Sequence, residues 1–119
     1  MFAPPLKIEF LFTPGCPSAW PALRLLRQVM GEEQCEARVI VRVITGREEA
    51  IKARFHGSPT IRIDGVDIEG PSVERDGYHL RCRAYHPHGS HLCVPHAETI
   101  RQALCTPPGE RHPQPQERS

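Results

Sequence analysis

Apolar and polar residues follow one another along this chain with periods that predict four strands and three helices. Residues 7–12 alternate charged with apolar side chains and then become continuously apolar, which is typical of a strand entering a core. From Ala19 onward the apolar residues recur at helical spacing, with polar side chains on the opposite face. The positions of this helical stripe are Ala19, Ala22, Leu23, Leu26, Val29 and Met30.

The next two elements are a second strand and a second helix. Residues 36–44 are rich in β-branched side chains and nearly continuously apolar, which predicts a strand buried on both faces. Two strands joined by a helix form a parallel, right-handed unit, so we expect the first two strands to be parallel. Residues 47–55 predict a short helix whose inner face consists of Ala50, Ile51 and Phe55.

Residues 60–69 contain the clearest hairpin of the sequence. Asp64-Gly65 is a strong two-residue turn signal, and alternating apolar residues flank it on both sides. We expect residues 56–59 before it to form a loop. The register of the hairpin pairs Ile63 with Val66 and Ile61 with Ile68 on one buried face.

A closing helix is predicted over residues 95–104, which makes the element order β-α-β-α-β-β-α. Its inward positions are Ala97, Ile100, Ala103 and Leu104. This order predicts an α/β domain over residues 6–105. Residues 106–119 are rich in Pro, Gln, Glu and Arg, and we expect them to form a disordered tail.

Composition narrows the function classes. A chain of 119 residues supports one domain with a modest core. A net charge of +1 and an aromatic content of 6% favour neither nucleic-acid nor membrane binding. Residues 1–5 lack the charged and apolar regions of a signal peptide, so we expect a cytoplasmic protein. Its five cysteines are then expected to be reactive, metal-bound or buried rather than a disulfide framework.

Cys16 is the cysteine with the most suggestive position. It follows the Pro14-Gly15 break after the first strand and precedes the first helix. The positive end of a helix dipole favours the thiolate form, which is the reactive one. Pro17 and Ser18 supply helix-start chemistry, the latter as a hydroxyl that caps free amides. A buried, unreactive cysteine is the alternative.

The stretch Gly15-Cys16-Pro17-Ser18-Ala19 resembles the active site of the thioredoxin superfamily, and Ser58-Pro59-Thr60 resembles its cis-proline loop. The resemblance implies a thioredoxin-like fold, with strand order 2-1-3-4 and helices on both faces of the mixed sheet. It also implies that Cys16 is the nucleophile, that Ser58–Pro59 is cis, and that Ser58, Pro59, Thr60 and Pro17 bind substrate. Ala19 stands where the second cysteine of the motif would be, so a resolving thiol must come from elsewhere.

A narrower resemblance is to small bacterial thioredoxin-like proteins, some with selenocysteine at the Cys16 position and some described as alkylmercury-lyase-like. It rests on the Gly15-Cys16-Pro17 start, the loop and hairpin at residues 57–65, and residues 77–85. In this comparison Cys82 is the second candidate thiol.

Residues 70–94 form an unusual inserted segment that we expect to leave the sheet beside Cys16. Besides Cys82, its metal-ligand candidates are His86, His88, His91 and Cys93. Imidazole and thiolate suit zinc or another soft metal. Their spacing matches no standard site, and a solvated loop with incidental histidines is the commoner explanation. His56 is a further candidate to approach Cys16, whereas Cys35 and Cys105 are expected to be packing residues.

Three functions stay open at this point. In the first, the protein is a thiol–disulfide oxidoreductase in which Cys16 attacks and Cys82, or alternatively Cys93, resolves. Its partner would be a disulfide-bearing protein or a small thiol, and no cofactor would be required. In the second, Cys16 and Cys82 are soft ligands of a metal-handling or organomercurial-cleaving protein. In the third, the fold serves binding alone.

Overall fold

The computed structural model describes residues 6–70, 79–82 and 94–105. Within these ranges the chain forms a mixed α/β fold of six strands and three helices. The helices are α1 (Ala19–Glu32), α2 (Arg47–Ala53) and α3 (Ala97–Cys105). The strands are β1 (Leu6–Phe12), β2 (Ala37–Val43), β3 (His56–Ser58), β4 (Thr60–Ile63), β5 (Val66–Asp67) and β6 (His79–Cys82).

Four of the strands form one mixed sheet in the order β2-β1-β4-β5. β1 is parallel to β2, with Leu6 opposite Ala37, and antiparallel to β4, with Phe10 opposite Ile61. Because β1 and β4 are antiparallel neighbours, the end of β1 lies next to the start of β4, with Leu11 opposite Thr60. The predicted parallel pair is confirmed. The predicted strand order 2-1-3-4 is confirmed as well, because β4 and β5 are the third and fourth strands of that prediction.

The hairpin between β4 and β5 has the predicted turn. Asp64 and Gly65 have φ values of 53° and 86°, and two positive φ values in succession characterise the type I′ turn that joins twisted strands. Ile63 lies opposite Val66, as predicted. The backbone of Ile68, just beyond β5, donates to the carbonyl of Ile61 at 3.1 Å, which extends the predicted register.

The larger core lies between the sheet and the helices α1 and α3. Alternate residues of β1 and β4 face it, and the apolar stripe of α1 covers them, as its spacing predicted. Leu26, at the middle of α1, is completely buried. The buried members are Ile8, Phe10, Ala19, Ala22, Leu23, Leu26, Val29, Ile61, Ile63, Ile100 and Leu104.

The opposite face of the sheet carries a smaller cluster with α2, so helices cover both faces. Its buried members are Leu11, Ile44, Ala50, Ala53 and Phe55. The prediction that Ile51 lies on the inner face is wrong, because this side chain is 52% exposed. The helix ends at Ala53, and Arg54 then takes a left-handed conformation (φ 56°), so Ala53 rather than Ile51 completes the inner face.

The prediction that the second strand is buried on both faces is also wrong. β2 pairs only with β1 among the described strands and lies at the edge of the sheet. Its residues are half-buried or exposed, and Val41 and Val43 are each 42% exposed. A β-branched composition therefore marked the strand correctly, but it did not distinguish a central strand from an edge strand.

A second, two-stranded sheet was not predicted. β3 occupies part of the expected loop at residues 56–59, and β6 lies within the inserted segment that was expected to be a solvated loop. The two strands are parallel, with His56 opposite His79 and Ser58 opposite Cys82. Part of the inserted segment is thus fixed by backbone pairing to the residues that precede Pro59.

Among the described residues, no helix combines the length and the apolar composition that a membrane crossing requires.

Candidate functional site

The loop between β1 and α1 holds Cys16 by its backbone. The amide of Cys16 donates to the carbonyl of Thr13 at 3.2 Å, which closes a four-residue turn. Pro14 and Gly15 occupy the middle of this turn, and Gly15 has a φ of 77°. Proline followed by a residue of positive φ is the pattern of a type II turn. The sequence Pro-Gly therefore sets the direction in which the chain reaches Cys16.

A second turn follows immediately and begins α1. The carbonyl of Cys16 accepts from the amide of Ala19 at 3.3 Å, and the carbonyl of Ser18 accepts from the amide of Ala22 at 3.0 Å. Both backbone polar groups of Cys16 are therefore used. The prediction that the Ser18 hydroxyl caps the helix is wrong, because Ser18 is the N-cap residue but its side chain makes no capping hydrogen bond.

The start of α1 keeps the electrostatic character of a helix N-terminus. The first turn of this fully described helix contains no acidic residue, so no carboxylate offsets its partial positive charge. Pro21 is tolerated because it lies in the first turn, where an amide would have no intrahelical partner. Cys16 itself is half-buried and packs against the larger core.

The second part of the site is the loop between β3 and β4. The peptide bond between Ser58 and Pro59 is cis, as expected. Ser58, Pro59 and Thr60 are all buried. The Thr60 hydroxyl donates to the carbonyl of Gly57 at 2.6 Å, so the loop is closed by one of its own side chains.

A hydrogen bond between Thr13 and Ser58 joins the two loops. The amide of Thr13 donates to the Ser58 hydroxyl at 3.0 Å, across 45 positions of sequence. Thr13 begins the turn that ends at Cys16, and Ser58 precedes the cis proline. Sequence reasoning missed this role of Ser58; its position directly before Pro59 was the available signal.

The backbone also brings Cys82 to this region. Cys82 lies opposite Ser58 in the parallel pairing of β6 with β3. Neighbouring strands are about 4.8 Å apart. Ser58 is thus flanked by Cys82 on one side through strand pairing and by Thr13 through its hydroxyl. The expectation that Cys82 lies in a loop is wrong, since it ends a strand.

Two exposed apolar side chains lie close to Cys16 in sequence. Pro17 is exposed, in contrast to the three buried residues of the cis-proline loop. Trp20 is 58% exposed although its ring packs at a tilt of 53° against Phe12, with ring centroids 5.6 Å apart.

The remaining candidates are His56 and the candidate metal ligands. His56 is buried and lies in β3 rather than in a loop. The candidate metal ligands lie outside the described residues, and no group of three or more His, Cys, Asp or Glu residues within the described ranges is arranged to hold a metal ion. The candidates outside the described residues are His86, His88, His91 and Cys93.

The other two described cysteines differ from each other. Cys35 packs against the larger core, as predicted. Cys105 is exposed, so the prediction that it is a packing residue is wrong. Its thiol donates to the Glu33 carboxylate, with Sγ 3.4 Å from Oε1. This hydrogen bond forms because Cys105 is the last residue of α3 and Glu33 lies at the end of α1.

Compared with protein-family models, with curated proteins and with solved structures, the chain matches none of them.

Proposed function

We propose that this chain is a thioredoxin-like thiol–disulfide oxidoreductase in which Cys16 is the nucleophile and Cys82 the resolving thiol. The observation that carries the proposal is the link from Cys82 through Ser58 to the Cys16 turn. Strand pairing places Cys82 beside Ser58, and the Ser58 hydroxyl accepts from Thr13 at 3.0 Å. A cis proline next to a cysteine at a helix start further supports a thioredoxin-like arrangement.

In the first step the Cys16 thiolate attacks one sulfur of a partner disulfide. The bond between the two partner sulfurs breaks, a mixed disulfide forms at Cys16, and one partner thiolate leaves. Cys16 lies just before the N-terminal end of α1, whose first turn contains no acidic residue.

In the second step the Cys82 thiolate attacks the Cys16 sulfur of the mixed disulfide. This releases the second partner thiolate and leaves a Cys16–Cys82 disulfide, so the partner gains the two electrons that the protein loses. A thiol reductant then restores the dithiol. Because Ala19 occupies the place of a local second cysteine, a thiol on β6 takes over that part of the chemistry.

The buried and exposed residues take different parts in this proposal. Ser58, Pro59 and Thr60 position the Cys16 turn, since all three are buried and Ser58 bonds directly to that turn. Pro17 and Trp20 contact the partner, because both are exposed and lie within four residues of Cys16 in the sequence. A direct substrate contact for Pro59 remains a prediction from the family resemblance.

Mild peroxide oxidation followed by non-reducing peptide mapping tests the pairing. We expect a linked pair of peptides that contains Cys16 and Cys82, and we expect it to disappear after reduction. The Cys82→Ser variant should accumulate a mixed disulfide at Cys16 when it meets a disulfide partner. A bridge from Cys16 to Cys93, or an overoxidised Cys16 without a bridge, would overturn the role of Cys82.

A further inference from the structure

The C-terminal end of α1 closes in a way that fixes the direction of Cys35. The amide of Gln34 donates to the carbonyl of Gly31 at 3.2 Å, and the amide of Cys35 donates to the carbonyl of Met30 at 2.9 Å. With Gln34 in a left-handed conformation (φ 51°), these two bonds form a Schellman motif. The residue after the left-handed position turns back to the helix, and Cys35 accordingly packs against the core beside Met30.

The end of α3 meets the same turn. The thiol of Cys105 donates to one oxygen of Glu33 at 3.4 Å, and Arg101, one turn earlier in α3, donates to the other at 3.1 Å. Arg101 also binds Glu32 at 2.8 Å. Cys105 therefore contacts Glu33, which lies two positions before Cys35 in the sequence.

The two thiols also interact through charge. The hydrogen bond to Glu33 is the largest cause of a raised pKa at Cys105, followed by burial and by the charge of Glu33. The charge of Cys35 is a further, smaller cause of the raised pKa of Cys105, in keeping with the position of Cys105 against Glu33, two residues before Cys35.

From this geometry we infer that Cys35 and Cys105 form a second redox-active dithiol, which closes to an intramolecular disulfide and joins the end of α3 to the end of α1. Neither Cys16 nor Cys82 takes part in it. The site is thus a reversible modification site at the opposite end of α1 from the proposed active site.

The oxidant is a small peroxide. The sulfur of Cys35 attacks one peroxide oxygen, which breaks the O–O bond and leaves a sulfenic acid and one water. The sulfur of Cys105 then attacks that of Cys35, its proton passes to the Glu33 carboxylate, and the hydroxyl leaves as a second water. Two thiols and one peroxide thereby become one disulfide and two waters. Because Cys105 is kept protonated by Glu33, it acts second.

The test uses the full chain with Cys16, Cys82 and Cys93 replaced by serine, so that two thiols remain. After treatment with hydrogen peroxide we expect both free thiols to disappear together and a peptide pair that links Cys35 to Cys105. The closed loop of about 70 residues restricts the unfolded chain, so Tm should rise by about 5 °C or more and return on reduction. Addition of Cys105→Ser should abolish the rise in Tm.

Two outcomes would overturn the inference: both thiols still free after oxidation, or a bridge that forms only between two chains. If the triple variant does not fold, peptide mapping of the oxidised wild-type protein gives the same decision, since the Cys35–Cys105 peptide pair is either present or absent. The result is independent of whether Cys16 pairs with Cys82, because the two bridges give different peptides.

Discussion

A cysteine lies at each end of α1, and different interactions fix the two cysteines in place. At the N-terminal end, two consecutive backbone turns fix Cys16, and a buried hydroxyl on Ser58 ties the first turn to a neighbouring loop. At the C-terminal end, about 21 Å away along a helix of 14 residues, charged side chains surround Cys105. Glu33 accepts from the thiol, and Arg101 binds the same carboxylate.

This difference separates what each thiol is suited to do. A helix N-terminus favours an anion, whereas the Glu33 carboxylate favours the protonated form of Cys105 by accepting its proton in a hydrogen bond. In the proposed Cys35–Cys105 pair, the protonated thiol of Cys105 is suited to attack second. Cys16 is the proposed nucleophile of the separate reaction at the other end of the same helix.

Removal of Cys16 should produce the largest effect. We expect Cys16→Ser to lower the rate of disulfide reduction by roughly 10³-fold or more, because loss of a catalytic nucleophile leaves only binding and positioning effects. Reduction of a peptide disulfide, followed by thiol release, measures this. The matched control is Cys105→Ser, which should retain the wild-type rate. Equal losses in both variants would remove the distinction between the two ends.

Ser58→Ala should have the next largest effect. The hydroxyl of Ser58 is buried and accepts from the Thr13 amide, so its removal leaves that amide without this partner and should cost about 1–3 kcal/mol of unfolding free energy. Urea unfolding measures the loss, and slower alkylation of Cys16 should accompany it. Thr45→Val is the control, because it removes an exposed hydroxyl that donates to Glu49 at 2.7 Å. A loss no larger than that of the control would exclude a joining role for Ser58.

Glu33→Gln should change the reactivity of Cys105 alone. Since the hydrogen bond to Glu33 is the main cause of the raised Cys105 pKa, the variant should alkylate several-fold faster at Cys105 near neutral pH. In the wild-type protein we expect Cys16 to alkylate faster than Cys105. Timed iodoacetamide labelling with peptide mapping measures both rates.

Glu98→Gln is the control for this experiment, because Glu98 binds Arg101 at 2.6 Å but makes no contact with the thiol in the described structure. The raised pKa also predicts a pH effect. A thiol with a higher pKa in the folded state stabilises the fold below its unfolded-state pKa, and this contribution is lost as the pH rises above about 9. An unchanged rate in Glu33→Gln would contradict the role of the carboxylate.

The smallest expected effect is an acid dependence at Glu32. Hydrogen bonds from Gln28 and then from Arg101 lower the pKa of Glu32 in the folded protein. A lowered folded-state pKa contributes stability above the unfolded-state value, and that contribution is lost as the pH falls below about 4.5. Glu32→Gln should therefore flatten slightly the decline of stability between pH 5 and about pH 3. Because the carboxylate is exposed, added salt should reduce the difference.

Local periodicity and turn chemistry predicted most of the main sheet. The apolar stripe of α1 and the Asp64-Gly65 turn are each determined by residues close together in sequence, and both are confirmed. The cis bond at Pro59 was expected from a motif rather than from periodicity, and it is present. Such features can be predicted because the residues that determine them are close together in the sequence.

Features that depend on distant partners were missed or wrong. β3 has three residues and β6 has four, so neither shows a period, and only their mutual pairing makes them strands. The exposure of Ile51 and Val41 depends on where a helix ends and on which strand lies at an edge. The bond from Thr13 to Ser58 spans 45 positions, and a backbone donor leaves no trace in residue identity.

The contact of Trp20 with Phe12 gives the molecule an optical reporter close in sequence to its proposed nucleophile. Trp20 is the single tryptophan of the chain, lies four residues after Cys16 and is 58% exposed. Its emission therefore arises from one place and senses solvent. We expect oxidation or occupation of the Cys16 site to change this emission, which can be followed in real time without a label, and we expect the Cys35–Cys105 pair to leave it largely unchanged.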